Sequence, residues 1–249
     1  MPGKIRRMPA EWEPHQGTLL CFPQNGKDWP GKLQAIQWAF VEFIRKVAAH
    51  ETVFLIVAGP KHEETVHAML HRAHVCLDAV QCLQLRTNRS WMRDSGPVVV
   101  SSSHDREAIQ WHFNGWAKYS NYRLDRQVPP AVAEHLNLPL TQARYHGKPV
   151  VMEGGAIDVN GEGVLITTEE CLLHPDIQVR NPGFTREDYE QVFSTYLGIE
   201  QVIWLGNGIA GDDTHGHVDD LTRFVSRDRV VTAIESKRSD ENYEPLQDN

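Results

Sequence analysis

Cysteine is scarce in this 249-residue sequence: Cys21, Cys76, Cys82 and Cys171 form neither a CxxC pair nor the spacing of a disulfide framework. No apolar run approaches the roughly 18 residues of a membrane span. The opening MPGKIRRMPAEWEP is basic but has no apolar stretch behind it, unlike a secretory leader. Together these absences imply a reducing, cytoplasmic setting. Positive charge is also short, with 25 Lys and Arg against 33 Asp and Glu and a formal net charge of −8. A nucleic-acid partner is thereby excluded from expectation, since phosphate binding needs a basic surface. The acidic balance fits a cationic small molecule only weakly, since ordinary soluble proteins of this size are mildly acidic for solubility alone. No linker rich in Pro, Ser or Gly divides the chain, so 1–249 reads as one domain.

What is present is an alternation of short β-like runs and amphipathic helices. Over 31–50, Leu33, Ile36, Phe40, Phe43, Ile44 and Val47 recur at helical spacing. The run 52–59 reads as a buried strand, followed by a helix over 61–73, and further strand-like runs cover 96–102 and 108–115. Residues 150–168 read as a hairpin turning at Asn160 and Gly161. A helix is predicted over 185–197, with Thr185 as N-cap, Asp188 in the capping-box position and Gly198 as its stop. A strand over 201–205 and a hairpin over 221–234, turning at 226–229, complete the pattern.

Three polar clusters interrupt it: WMRDSGP (91–97), MEGGAI (152–157) and DDTHGHVDD (212–220). Asp94 and Glu153 are 59 residues apart, and Glu153 and His217 are 64 apart. Units of this length, each ending a strand at a polar cluster, suggest repeated β/α modules whose clusters meet at one end of a common axis. On an extended segment Arg93 and Asp94 point to opposite faces, one toward a pocket and one bracing the scaffold, unless they simply form a surface pair. Glu153 in an apolar run is either a solvent-facing bulge or buried beside a cation. The glycines after it allow close approach of a backbone or ligand. In a strand-like segment His215, His217 and Asp219 share a face, where a His and an Asp can serve as general acid/base and anchoring carboxylate.

His-x-His-x-Asp also resembles the metal signature of metallo-β-lactamase-type hydrolases. That signature continues with His where Asp220 stands, and no His follows His217. None of the other twelve histidines is read as sharing zinc-like spacing with carboxylates, so no metal or other cofactor is expected. The gathering of Asp94, Glu153, Asp213 and Asp219 around one imidazole, with Trp91 near, suits a guanidinium ion instead. Its planar fork of donors matches carboxylates, and a Trp can cover its stem.

At these residues the sequence resembles the agmatine deiminase family, within the guanidine-modifying superfamily that includes bacterial peptidylarginine deiminases. The resemblance runs through MPAEWEPHQGTLLCFPQN, WMRDSGP, FNGWAKY (113–119), VVMEGGAIDVNGEGVLITTEECLL (150–173), RNPGF (180–184) and GDDTHGHVDD (211–220). It implies an α/β fold, the pseudo-fivefold propeller of pentein type. It also implies a hydrolase that deiminates agmatine to N-carbamoylputrescine and ammonia without a cofactor. By the same resemblance Asp94 and Asp219 bind the guanidinium, Glu153 works beside the general acid/base His217, Trp91 walls the pocket and Asp213 contacts the distal amine. A homodimer is a further implication.

The family's nucleophile is a cysteine thiolate near the C-terminus of a longer chain, after a fifth module. None of the four cysteines matches it, and all are read as core or incidental residues. The expectation is therefore a chain with about four of five modules, whose last module is missing, inactive by itself and weakly stable with uncovered strand edges. Two alternatives stay open: a peptidylarginine substrate, and a non-catalytic guanidinium-binding fragment or pseudoenzyme.

Overall fold

The computed structural model describes residues 6–102 and 105–249. Residues 1–5, which begin the basic opening, and 103–104 lie outside the described residues. Strands Gly17–Cys21, Thr52–Val57 and Val80–Gln84 form a parallel sheet with Thr52–Val57 in the middle. Parallel neighbours need crossovers, and helices Leu33–Val47 and Pro60–Arg72 supply them. The central strand alternates its faces. Val53, Leu55 and Val57 pack under the helices with Val41, Ile44, Val66 and Leu70, while Ile56 turns the other way, against Met92 and Val128. Phe43, expected in the helical stripe, is 47% exposed, and Val41 takes its place in the core. The face centred on Val41 and Ile44 leaves Phe43 about 100° round the helix from Ile44.

A second sheet runs Arg6–Arg7, Val98–Ser102, Asp105–Gln110, Leu140–Gln142. The strand expected over 108–115 thus starts earlier and stops at Gln110. Beyond it the chain meets the next unit through an isolated bridge, His112 to Val151, and through Trp111, which packs against Tyr196. Helix Val128–His135 is invisible in the periodicity because two prolines look like breakers. They sit in its first turn, where the lost N–H groups have no helical acceptor anyway.

The third sheet orders Asp158–Val159, Val164–Thr168 and Gln201–Leu205. Of the hairpin expected over 150–168, only 158–159 pairs with 164–168; the preceding Glu-Gly-Gly stretch leaves the strand to make a turn. Helix Arg186–Leu197 packs on this sheet through Tyr189, Val192, Phe193 and Leu197. Both halves of its capping box form, between Thr185 and Asp188, and Gly198 closes it at φ 73°. The hairpin Thr222–Ser226 with Arg229–Thr232 follows, leaving Val225, Val230, Val231 and Ile234 exposed.

The three polar clusters do not end strands, as their period suggested. Each forms a short helical turn that leads into the following strand: Met92–Ser95, Gly154–Ala156 and Val218–Asp220. The middle turn packs against both others, which brings together residues some 60 positions apart. Among the described residues no helix is long and apolar enough to cross a membrane.

Candidate active site

The Met92–Ser95 turn is anchored by buried Met92 on the first sheet, so the next polar side chains are thrown outward in different directions. Arg93 braces the scaffold, donating from Nε to Gly154 O at 3.1 Å and from Nη2 to Ile157 O at 3.2 Å, and pairing with Glu11. Asp94 points the other way. Its Oδ1 accepts from the Gly155 amide and its Oδ2 from the Trp116 indole, both at 3.2 Å. The expected divergence of Arg93 and Asp94 holds, although it arises on a helical turn and not on an extended segment.

His217 is the centre of the arrangement and is 2% exposed. Its Nδ1 lies 3.6 Å from Asp94 Oδ1 and 3.9 Å from Asp219 Oδ1, and its Nε2 lies 3.6 Å from Glu153 Oε2. These are ion-pair separations, longer than hydrogen bonds. Burial opposes protonation of the ring, but Glu153, Asp94 and Asp219 outweigh it and hold the imidazole above its ordinary pKa. Asp94 is pushed up to about 6, mainly by burial and further by Glu153 and Asp219, against the opposing pull of His217. Burial likewise raises Asp219, offset in part by His217 and Arg93.

Glu153 is fully buried and is no solvent-facing bulge. Burial would protonate it, yet the guanidinium of Arg180 and the imidazole of His217 prevail and hold it below the usual carboxylate range. Arg180 Nε donates to both Glu153 oxygens, at 3.3 and 3.2 Å, and its Nη2 donates to Thr214 O at 2.6 Å. The pair therefore fixes the acid behind His217 and ties it to the loop that carries His217.

That loop is not a strand, so the expected shared face of His215, His217 and Asp219 does not exist. His215 adopts φ 65° and turns to Glu170, with Nδ1 2.9 Å from Oε1. Asp212 organises the turn instead, accepting from the amides of Thr214 and Gly216 at 2.7 Å and of His217 at 3.2 Å.

Gly155 shows how tightly the turns meet. A methyl group there would run into His217 Nδ1 and stand 2.7 Å from Asp94 Oδ1 and 3.0 Å from Asp219 Oδ2. Gly155→Ala is expected to cost about 1–3 kcal/mol through overpacking, read as a lower urea midpoint. An unchanged midpoint would show that the three turns have slack.

Asp94, His217 and Asp219 face a cleft of about 610 Å³ walled by Trp91, Trp116 and Tyr119; Glu153 lies behind it. Trp91 is 44% exposed and leans on Trp29, ring centres 5.5 Å apart. Asp213 stands at the exposed rim, where Lys118 Nζ and Tyr119 Oη donate to its two oxygens at 2.6 and 2.7 Å. Sequence reasoning assigned no role to Arg180, Trp116 or Asp212. The first two lie in RNPGF and FNGWAKY, and a Glu in an apolar run should have prompted a search for its cation. Trp116 and Ala117 also hold left-handed backbone, φ 58° and 52°, a strained turn that aims the indole at Asp94.

The cysteines are free. Cys171 lies with Glu153 and His217, one ligand atom of each within 4.8 Å of the others, but it is buried behind the cleft and burial drives its pKa up. Burial pushes Cys21 and Cys82 to about 11.

Fold and site thus define a protein of mixed α/β units that gathers buried carboxylates round an imidazole beneath an aromatic-walled cleft. The chain belongs to the Porphyromonas-type peptidyl-arginine deiminase family, whose model matches residues 7–249. It is 33% identical over 243 residues to an agmatine deiminase of Pseudomonas aeruginosa, covering 95% of this chain and 62% of that one. It spans 62–67% of the length of the curated relatives it matches. Among solved structures, an agmatine deiminase of C. jejuni with substrate bound superposes with a TM-score of 0.85 at 28% identity, over 100% of this chain and 70% of that one. An agmatine deiminase of Enterococcus faecalis gives 0.86 at 27% identity, over 100% and 67%. The α/β propeller architecture of pentein type that the resemblance implies is the fold shared with these enzymes.

Proposed function

We propose that this chain forms, as one domain, the guanidinium-binding body of an enzyme that deiminates agmatine. The observation that carries the reading is the convergence of Asp94 and Asp219 on one side of His217, with Glu153 held ionised by Arg180 on the other. Ionised Asp94 and Asp219 take the N–H fork of the guanidinium, which places its central carbon beside the imidazole. A thiolate attacks that carbon, protonated His217 gives a proton to the departing ammonia, and the neutral ring then takes one from the water that releases the carbamoyl product. Agmatine and water are thus converted to N-carbamoylputrescine and ammonia. None of the four cysteines faces the cleft as a thiolate source, so the reading takes the attacking group from elsewhere. Four free thiols suit a reducing, cytoplasmic setting, and a net charge of −8 suits a cation over a nucleic acid.

Agmatine is preferred to a peptidylarginine because Asp213 offers a rim carboxylate to a distal amine, at the cost of sharing it with Lys118 and Tyr119. Calorimetric titration of the chain should show saturable heat with agmatine and none with putrescine, which has the amines without the guanidinium. Equal binding of both, or of neither at millimolar ligand, refutes the reading. Tighter binding of a blocked arginyl peptide than of agmatine would reassign the substrate.

A further inference from the structure

A second group of chemistry-bearing side chains lies in the first parallel sheet, and none of it lines the cleft. Glu63 and His67 are four residues apart on helix Pro60–Arg72 and so share one face of it. That helix packs on strand Val80–Gln84, where Cys82 and Gln84, two residues apart, project to the same side. Sγ of Cys82 stands 3.4 Å from Nε2 of His67, and one ligand atom from each of Glu63, His67 and Cys82 lies within 4.8 Å of the other two. Gln84 Nε2 donates to Glu63 Oε2 at 2.7 Å, which steadies the carboxylate. All three side chains are half-buried, open enough for an ion to enter.

We propose that Glu63, His67 and Cys82 bind a zinc-class divalent cation that staples helix Pro60–Arg72 to strand Val80–Gln84. The separation of sulfur and nitrogen supports it. Bonds of about 2.3 Å to sulfur and about 2.0–2.1 Å to nitrogen, at a tetrahedral angle, put the two ligands about 3.5 Å apart. The donor set selects the ion, since thiolate with imidazole favours zinc-class metals and disfavours magnesium and calcium, which prefer all-oxygen sites. Binding releases the Cys82 proton to solvent as the sulfur–metal bond forms, leaves His67 neutral and completes the shell with water. The sequence-level expectation that no other histidine shares zinc-like spacing with carboxylates is therefore corrected. Glu63 and His67 have it, but their third partner lies 15 residues downstream of His67. Only the parallel pairing of Leu55 with Cys82 brings that thiol under the helix.

Cobalt(II) titration of the full chain tests the site. The expected result is a near-ultraviolet thiolate-to-cobalt charge-transfer band saturating at one equivalent and abolished by zinc. It should be lost in Cys82→Ser, shifted to at least tenfold higher cobalt in His67→Ala, and retained in Cys171→Ser. The last variant separates this group from the buried one formed by Glu153, Cys171 and His217. Zinc should also raise the melting temperature of the wild type and leave that of Cys82→Ser unmoved. Absence of the band in the wild type, or its survival at full intensity in Cys82→Ser, overturns the proposal.

Discussion

Asp94→Asn is expected to weaken agmatine binding by about 2–5 kcal/mol, on the order of 30-fold to several-thousand-fold in Kd, because it leaves a desolvated guanidinium short of one counter-charge. The substitution keeps shape and removes charge; its one amide oxygen can still accept from either the Trp116 indole or the Gly155 amide, while the other hydrogen bond is lost with the electrostatic attraction. Its pH signature separates charge loss from misfolding. Asp94 sits at about 6 in the free protein and must ionise to hold the cation, so wild-type affinity should climb as pH rises from about 5 to 7. His217 acts with the same sign. Its pKa is raised, and shedding its proton at higher pH removes a positive charge from beside the ligand. Asp94→Asn should flatten the part of the rise that belongs to Asp94. Calorimetry at several pH values reads both effects, and a variant that binds agmatine as the wild type does, with an unchanged pH profile, would remove Asp94 from the site.

Arg180→Met carries the largest expected effect on stability. Both members of the Glu153–Arg180 pair are inaccessible to solvent, and deleting one partner of such a pair typically costs about 3–5 kcal/mol because the other charge is left uncompensated. Glu153→Gln with Arg180→Met together should recover much of that loss, since no unpaired charge then remains. The pH dependence follows from the direction of the Glu153 shift. In the wild type its folded pKa is depressed, so the pair's stabilisation is present above the unfolded pKa and is lost as pH falls through the folded value. In Arg180→Met only His217 still offsets burial, and the folded pKa rises. The deficit should accordingly be full at pH 7 and shrink as acid protonates Glu153. Urea unfolding of the single and double variants at pH 7 and pH 4 measures this. A single variant that loses less than about 1 kcal/mol at pH 7 would mean that Glu153 finds its compensation elsewhere.

Local signals alone decided the capped helix over 186–197, whose N-cap, capping box and glycine stop are all short-range, and the hairpin turning at 226–229. The polar clusters that interrupt the apolar pattern likewise singled out Asp94, Glu153, Asp213, His217 and Asp219, because charge inside apolar runs needs a reason wherever the chain folds. Tertiary structure decided what those charges do. Whether His215 joined His217 depended on a left-handed turn stitched by Asp212, and a period-two reading of that segment could not foresee it. The cation balancing Glu153 sits 27 residues away at Arg180, and the indole that steers Asp94 is presented by a strained loop. Spacing encodes neither, since both partnerships are made across units that meet only when the sheets pack. The same holds for Glu63, His67 and Cys82, where helix periodicity supplies two ligands and sheet pairing supplies the third.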